Sequence, residues 1–260
     1  MTNPTLRLRV FAGPNGSGKS TIINAVRAAK VKDIPVDFGV YINADDIAKS
    51  LRKGSFSFTK YKVKVSNEEF VKVVLDSGLI NEEFPKTLFT KSYLLKENKI
   101  QLVNPKADEH LAQIIADFLR KKLLSEKKKF SFETVFSHPS KLDIMKQAAA
   151  AGYKVYLYFV STEDPEINKF RVKKVRVIEG GHDVPEDKII SRYYRSLDLL
   201  FEASQIAYQA YFFDNSKDGE GFELFAHFKN VKGEKKWDEI DKSKVPAWFI
   251  KYYSSKVRRA

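Results

Sequence analysis

Residues 13–21, "GPNGSGKST", hold Gly13, Gly18, Lys19 and Ser20 at the spacing G-x-x-x-x-G-K-[ST]. Each type has a mechanical reason to be there. Glycines admit turns closed to other residues, so the loop Gly13, Pro14, Asn15, Gly16, Ser17, Gly18 is expected to wrap its backbone around phosphate oxygens. Lys19 reaches the β- and γ-phosphates of a nucleotide, and the Ser20 hydroxyl is placed for Mg²⁺, with Thr21 completing the motif. A helix that begins at this point adds its positive end. The loop reports that a nucleotide phosphate is held. It does not say what receives it.

Carboxylates are the next candidates. "VYINADDIA" places Asp45 and Asp46 after a β-rich run, and "FSFETV" places Glu133 and Thr134 at the end of another. Ligands of open parallel sheets bind outside the carboxyl ends of the strands. Transfer of a phosphoryl group to a hydroxyl uses one carboxylate to take or orient the acceptor's proton, and a second to position the metal's water shell or the acceptor. Asp45 is the candidate base, with Asp46, Glu133 and Thr134 on the acceptor side. The plainer alternatives are that Asp45 caps the helix that follows it and that Glu133 only marks a solvent-facing strand end. Neither strand is the long apolar run ending in Asp that a mechanical ATPase carries, which favours a kinase.

Cations follow in "DPEINKFRVKKVRVIEGGHDVPEDKIISRYYRSLDLL" (164–200). Asp164 with Pro165 predicts a helix start, Gly180 with Gly181 a stop, and Pro185 with Glu186 a second start. The reading is a helical lid with a glycine hinge. Arg171 and Arg176 stand on its first helix and Arg192 on its second, able to neutralise phosphate charge on closure. His182 reads as a loop residue.

These groups need a scaffold. Apolar β-rich runs at 6–12, 38–43, 129–135, 153–161 and 208–214 alternate with helical periodicity, which predicts an α/β fold. The specific expectation is a P-loop NTPase three-layer sandwich with a five-stranded, mostly parallel sheet. Leu111, Ile114, Ile115, Phe118 and Leu119 form one helical stripe ahead of the third strand. Residues 54–105 exceed what a crossover needs and read as an insertion near the ligand crevice, with Ser66 and Glu69 at capping-box spacing. Residues 217–260 read as a β-hairpin and tail whose tryptophans seal a core edge, so that 1–260 forms a single kinase domain. A net charge of +13 favours anionic partners. No apolar run approaches the roughly 18 residues that span a bilayer, so no membrane partner is expected. The absence of cysteine fits a reducing cytoplasm.

"INADDIA", "FSFETVFS" and "GGHDVPEDKIISRYYRSLDLL" in this order, behind the phosphate loop, resemble the zeta toxin family of P-loop kinases over residues 6–50 and 110–216. The resemblance implies ATP and Mg²⁺ as cofactors, held by Lys19 and Ser20. It implies Asp45 as the catalytic base, Glu133 as a substrate-side acid, and Arg176 as the lid arginine with Arg171 a looser match. Well-studied members of that family phosphorylate a sugar hydroxyl of UDP-N-acetylglucosamine and are restrained by an antitoxin. After Glu133 that family carries threonine and then arginine at alternate positions, where this chain has Val135 and Ser137. The implied function is transfer of the γ-phosphate to a hydroxyl of a small anionic acceptor. Two other readings stay open: a polynucleotide 5′-hydroxyl kinase, which brings nucleic acid in as partner, and a non-catalytic ATP-binding module.

Overall fold

Strand β1 (Arg7–Ala12) is buried from Leu8 onward, as an apolar run covered on both faces must be. Helix α1 (Lys19–Ala28) follows the phosphate loop, and a short hairpin joins β2 (Lys30–Val31) to β3 (Ile34–Pro35). The chain continues through β4 (Val40–Ile42), α2 (Ala44–Arg52), β5 (Ser55–Ser57), α3 (Asn67–Leu75) and α4 (Lys86–Lys91). Then come β6 (Tyr93–Lys96), β7 (Lys99–Leu102), α5 (Asp108–Ser125), β8 (Phe130–Thr134), α6 (Ser140–Ala150) and β9 (Lys154–Ser161). The remainder holds α7 (Pro165–Arg171), α8 (Glu186–Asp198), α9 (Leu200–Ile206), β10 (Gln209–Asp214), β11 (Glu223–Val231), β12 (Glu234–Trp237) and α10 (Ala247–Phe249). The computed structural model describes residues 5–176, 184–217 and 219–257, without the side chains of 175 and 176. It divides into two units, one of Met1–Phe38 with Glu133–Ala260 and one of Gly39–Phe132.

In the first unit the sheet runs β12-β11-β10-β9-β1. Strands β1, β9 and β10 pair in parallel, and Phe11, Tyr158 and Tyr211 fall at matching register positions with their rings stacked 4.7 and 4.8 Å apart. All five strands expected from the sequence form. The expected count of five is nevertheless too low, because β11 and β12 extend this sheet antiparallel beyond β10. Their period-2 signal is interrupted by the two-residue turn at Lys232 and Gly233, both at positive φ, which closes a tight hairpin.

One face of this sheet carries Phe159 and Phe212, and on it lie α9 and the carboxyl-terminal helix, through Phe201, Trp248, Phe249 and Tyr253. The opposite face carries Phe11 with Phe38, over which Arg27 of α1 sits 5.2 Å from the ring centre. Trp237, expected to seal a core edge, stands 36% exposed, whereas Trp248 and Tyr253 are buried and do seal one. Their apolar bodies bury surface worth about 1.5–3 kcal/mol each.

In the second unit β4 and β8 pair in parallel, Val40 opposite Phe130 and Ile42 opposite Phe132. Helix α5 carries the apolar stripe read from the sequence, with Leu111, Ile114, Ile115, Phe118 and Leu119 all buried. Helix α2 packs along it, and Arg52 bridges to both Asp108 and Glu109. The insertion forms a three-stranded antiparallel sheet in the order β5-β7-β6. Phe58, Phe70, Phe89, Tyr93 and Phe118 interlock in edge-on and tilted pairs beneath it. Ser66 caps α3 by accepting from the Glu69 amide at 3.1 Å. Among the described residues, no helix is long and apolar enough to cross a membrane.

Candidate functional site

The glycine-rich loop leaves the buried end of β1 and turns directly into α1, whose N-cap is Gly18. Gly18 stands at φ 93°, and a Cβ there would meet the Asn215 amide nitrogen at 2.2 Å. Gly16 stands at φ 73°, where a Cβ would lie 2.6 Å from the Asn168 carbonyl oxygen. Both positions therefore exclude side chains twice over, by backbone conformation and by space.

No side chain caps α1, and its first turn holds no acidic residue. The opening amides of the helix and its positive dipole end are thus left for an external anion. Lys19 is buried, and its Nζ donates to the Pro14 carbonyl at 2.8 Å, arching over the loop. Ser17 Oγ donates to the same carbonyl at 2.9 Å. Ser20 and Thr21 are exposed at the start of the helix. The donor set is that of a phosphate cradle, and the residues present fit a nucleotide triphosphate. Among the described residues no group of three or more His, Asp or Glu side chains could hold a metal. A divalent ion here would be held by Ser20, with phosphate oxygens and water completing its shell.

Two asparagines missed by sequence reasoning hold the loop in shape. Asn168 of α7 is fully buried, and its Nδ2 donates to the Asn15 carbonyl at 2.5 Å. Its Oδ1 accepts from the Thr162 hydroxyl, which fixes which way the amide points. Asn215, just past β10, donates from Nδ2 to the Ser17 carbonyl at 2.9 Å. These two donors take up the Asn15 and Ser17 carbonyls and so fix the path of the loop between them. The turn that bears Asn215 is itself braced. Asp214 accepts from Trp248 Nε1 at 2.9 Å and from Ser216 Oγ at 2.8 Å. A faint signal existed in "FFDNS", a polar triplet directly after a buried strand, but nothing local in it points at a loop two hundred residues away.

The two helices expected to form a lid start where the sequence predicts. Asp164 Oδ1 caps α7 through the Glu166 amide at 2.8 Å, with Pro165 in the first turn. Arg171 donates from Nη1 to the Asn215 carbonyl at 2.6 Å, so this arginine and the phosphate loop share one asparagine. Helix α7 runs on as a π-helical turn, Val172–Arg176, a form that often marks functional segments. The Arg176 side chain, Gly180, Gly181 and His182 lie outside the described residues. Helix α8 is tied back to α7 by Glu186, which bonds Lys169 and Lys173. Hydrogen bonds from Lys173 first, then Lys169, hold the Glu186 carboxyl below its ordinary range. Val172, Val184 and Ile189 pack between the two segments. Arg192 is half-buried on α8.

Glu133 and Thr134 are half-buried at the end of β8. The Thr134 hydroxyl accepts from the Phe136 amide at 3.0 Å. Phe136 is fully buried at φ 60°, a conformation a bulky side chain rarely adopts and one that concentrates at functional sites.

Asp45 and Asp46 belong to the second unit, on the opening turn of α2. The possibility that Asp45 is the helix cap is not realised. Asn43 is the cap, its Oδ1 accepting from the Asp45 amide at 2.8 Å. That leaves the Asp45 carboxylate out of the capping bond, half-buried beside an exposed Asp46. Burial, with the Asp46 charge second, pushes the Tyr61 hydroxyl up to about 12, so that phenol is neutral across the physiological range.

Comparison with known proteins gives a family and a fold. The chain is similar to AvrRxo1-ORF1:-ORF2 with ATP, at 15% identity and a TM-score of 0.52, covering 92% of this chain and 62% of that one. It is also similar to AvrRxo1-ORF1:AvrRxo1-ORF2 with sulphate ions, at 15% identity and a TM-score of 0.50, covering 89% and 60%. It thus spans about three fifths of those chains. A structure of the PezAT chromosomal toxin-antitoxin system of Streptococcus pneumoniae is similar at 13% identity and a TM-score of 0.46, covering 83% of this chain and 70% of that one. No curated protein matches its sequence significantly. The shared fold is the P-loop NTPase-like α/β fold that the zeta toxin resemblance implies. The model of the AAA domain family matches residues 7–243, from β1 through the phosphate loop to beyond the final hairpin, and the chain belongs to that family.

Proposed function

We propose that this protein is an ATP- and Mg²⁺-dependent kinase that moves the γ-phosphate to a hydroxyl of a small anionic acceptor. A nucleotide sugar such as UDP-N-acetylglucosamine is the leading acceptor. The observation that carries the reading is the uncapped, acid-free start of α1 behind a glycine loop that is braced from two sides.

Lys19 and the loop amides from Gly13 to Gly18 hold the β- and γ-phosphates. Ser20 holds Mg²⁺, which supplies charge neutralisation to the phosphates when bound. Asp45 takes or orients the proton of the acceptor hydroxyl. The acceptor oxygen then bonds to the γ-phosphorus as the bond to the bridging β–γ oxygen breaks, and ADP leaves with that oxygen. Arg171, Arg176 and Arg192 neutralise the charge that spreads over the transferred group. Asp46, Glu133 and Thr134 bind the acceptor. The AvrRxo1-ORF1 structure with ATP supports nucleotide binding by this fold, the zeta toxin resemblance supports the acceptor class and an antitoxin protein as partner, and the absence of cysteine supports a cytoplasmic setting.

The test is transfer of labelled γ-phosphate from ATP by the native chain and Asp45→Asn in parallel. UDP-N-acetylglucosamine, a 5′-hydroxyl oligonucleotide and water alone serve as acceptors. The expected result is label on the nucleotide sugar, lost in the variant. Label on the oligonucleotide replaces the acceptor class, and label only in free phosphate removes the kinase reading.

A further inference from the structure

We propose that the outer face of the insertion's three-stranded sheet is a docking surface for the phosphate backbone of nucleic acid. The surface is independent of the phosphate loop and does not rest on the kinase reading.

The register places Ser55 and Leu94 on either side of Gln101, Ser57 beside Lys99, and Lys96 directly opposite Lys99, all on one face. The alternate residues, Phe56 and Ile100, point into the aromatic core and are buried. The strand positions of the outward face hold hydroxyl, amide and ammonium groups and one exposed apolar side chain (Leu94), while an exposed carboxylate, Glu97, stands in the adjoining β6–β7 turn. Gly54, Ser55, Leu94, Lys96, Lys99 and Gln101 line an open depression of about 420 Å³ on it.

Two like charges set directly opposite across a strand pair destabilise the sheet. Among the described residues, no carboxylate pairs with Lys96 or Lys99, nor with Lys53, Lys60, Lys62 or Lys64. Some lysines of the same unit are paired: Lys122 with Glu69 and Glu126, Lys128 with Glu126, and Lys121 with Asp117. Lys62 and Lys64 flank a segment bonded to the β6–β7 turn. Lys62 and Lys64 project outward in alternation with the buried Tyr61 and Val63. That segment is sewn to the β6–β7 turn by Asn98, which donates to the Val63 carbonyl at 2.8 Å and accepts from the Val65 amide at 3.0 Å. The turn and the lysine ribbon are therefore one rigid piece, held on a packed aromatic base.

A rigid polar face with unpaired cations fits a polyanion. An acidic protein partner would need buried aromatic or arginine anchors, and a lipid surface would need several inserting apolar groups. The face offers neither. Phosphodiester oxygens need only the cations and the polar donors between them. No exposed aromatic ring stands on this face, so binding through it carries no base-stacking contribution and little sequence preference.

The experiment uses fluorescence anisotropy of the full chain with a labelled single strand of about 15 nucleotides and a duplex of the same length, over a salt series. Binding should weaken steeply with salt. The pair Lys96→Glu with Lys99→Glu should weaken binding at least ~10-fold and lower the salt slope by about 1.4 on the single strand. The pair Lys217→Glu with Lys244→Glu makes the same change in net charge in the other unit, at exposed lysines, and should leave both values near native. Lys19→Met should also bind like the native chain, which separates this surface from the fate of the kinase reading. Equal loss in the two charge-reversal pairs overturns the proposal, since the net charge alone would then explain binding. So does a lack of binding at about 50 mM salt. Binding to vesicles of anionic phospholipid with none to either oligonucleotide overturns it in favour of a lipid surface.

Discussion

Helices α1 and α2 each follow a parallel strand, α1 across the glycine-rich loop and α2 one residue after β4, yet their opening turns are built in opposite ways. The α1 turn starts at a glycine, has no side-chain cap and no acid, and opens on a lysine. The α2 turn is capped by Asn43 and already contains two aspartates. Any helix start is an electropositive place with unpaired amides. At α2 the chain supplies its own acceptor and its own anions. At α1 it supplies none, and two asparagines from distant segments, Asn168 buried and Asn215 half-buried, brace the loop. One start leaves its positive end open, and the other carries its own negative charge. On the function proposed above, a phosphoryl donor would take the first and a hydroxyl acceptor the second.

Making α1 resemble α2 should have the largest effect. Gly18→Asp places a capping carboxylate where phosphate would sit and a Cβ against Asn215, and should abolish ATP binding by titration calorimetry, a loss of at least ~1,000-fold. Thermal unfolding of the same variant separates lost binding from lost folding. If ATP still binds, the uncapped turn is not the cradle.

Neutralising the α2 start comes next. Asp45→Asn should lower transfer by about 100- to 10,000-fold while ATP binding stays within about 2-fold of native, because Asn43 continues to cap the helix. Loss of ATP binding in this variant would assign Asp45 to structure instead.

A smaller effect should follow from removing a brace. Asn215→Ala frees the Ser17 carbonyl and leaves Arg171 its backbone partner. One net hydrogen bond at about 1 kcal/mol predicts a rise of about 5-fold in the KM for ATP, with kcat changed less. An equal fall in kcat with KM unmoved would mean that Asn215 acts on Arg171 rather than on the loop.

The smallest is Asn43→Ala, which removes the α2 cap. It should cost about 1 kcal/mol of stability by denaturant titration and leave the KM for ATP as it was. A change in that KM would mean that the two helix starts are not separable functions.

Much of this was legible along the chain because it depends on near neighbours. Gly18 before Lys19, Asp164 before Pro165, Ser66 three residues ahead of Glu69, and the apolar stripe of α5 are local patterns. A turn's φ, a cap's hydrogen bond and a helical period are set within a few residues. The resemblance of three short stretches likewise pointed to the fold. What local pattern left open was whether Asp45 caps α2, a role its type suits; the structure gives that role to Asn43.

Sequence by itself determined that a phosphate loop exists, where its helix starts, and which strands and helices surround it. Tertiary structure alone decided that Asn168 and Asn215 brace that loop, across 153 and 198 residues, that Trp248 of the tail steadies the turn bearing Asn215, and that Lys96 and Lys99 of the insertion stand opposite each other on one face. The physical reason is reach. A hydrogen bond or a charge acts over a few ångströms, and which residues come that close across the chain is settled only when the sheet registers and the aromatic core close.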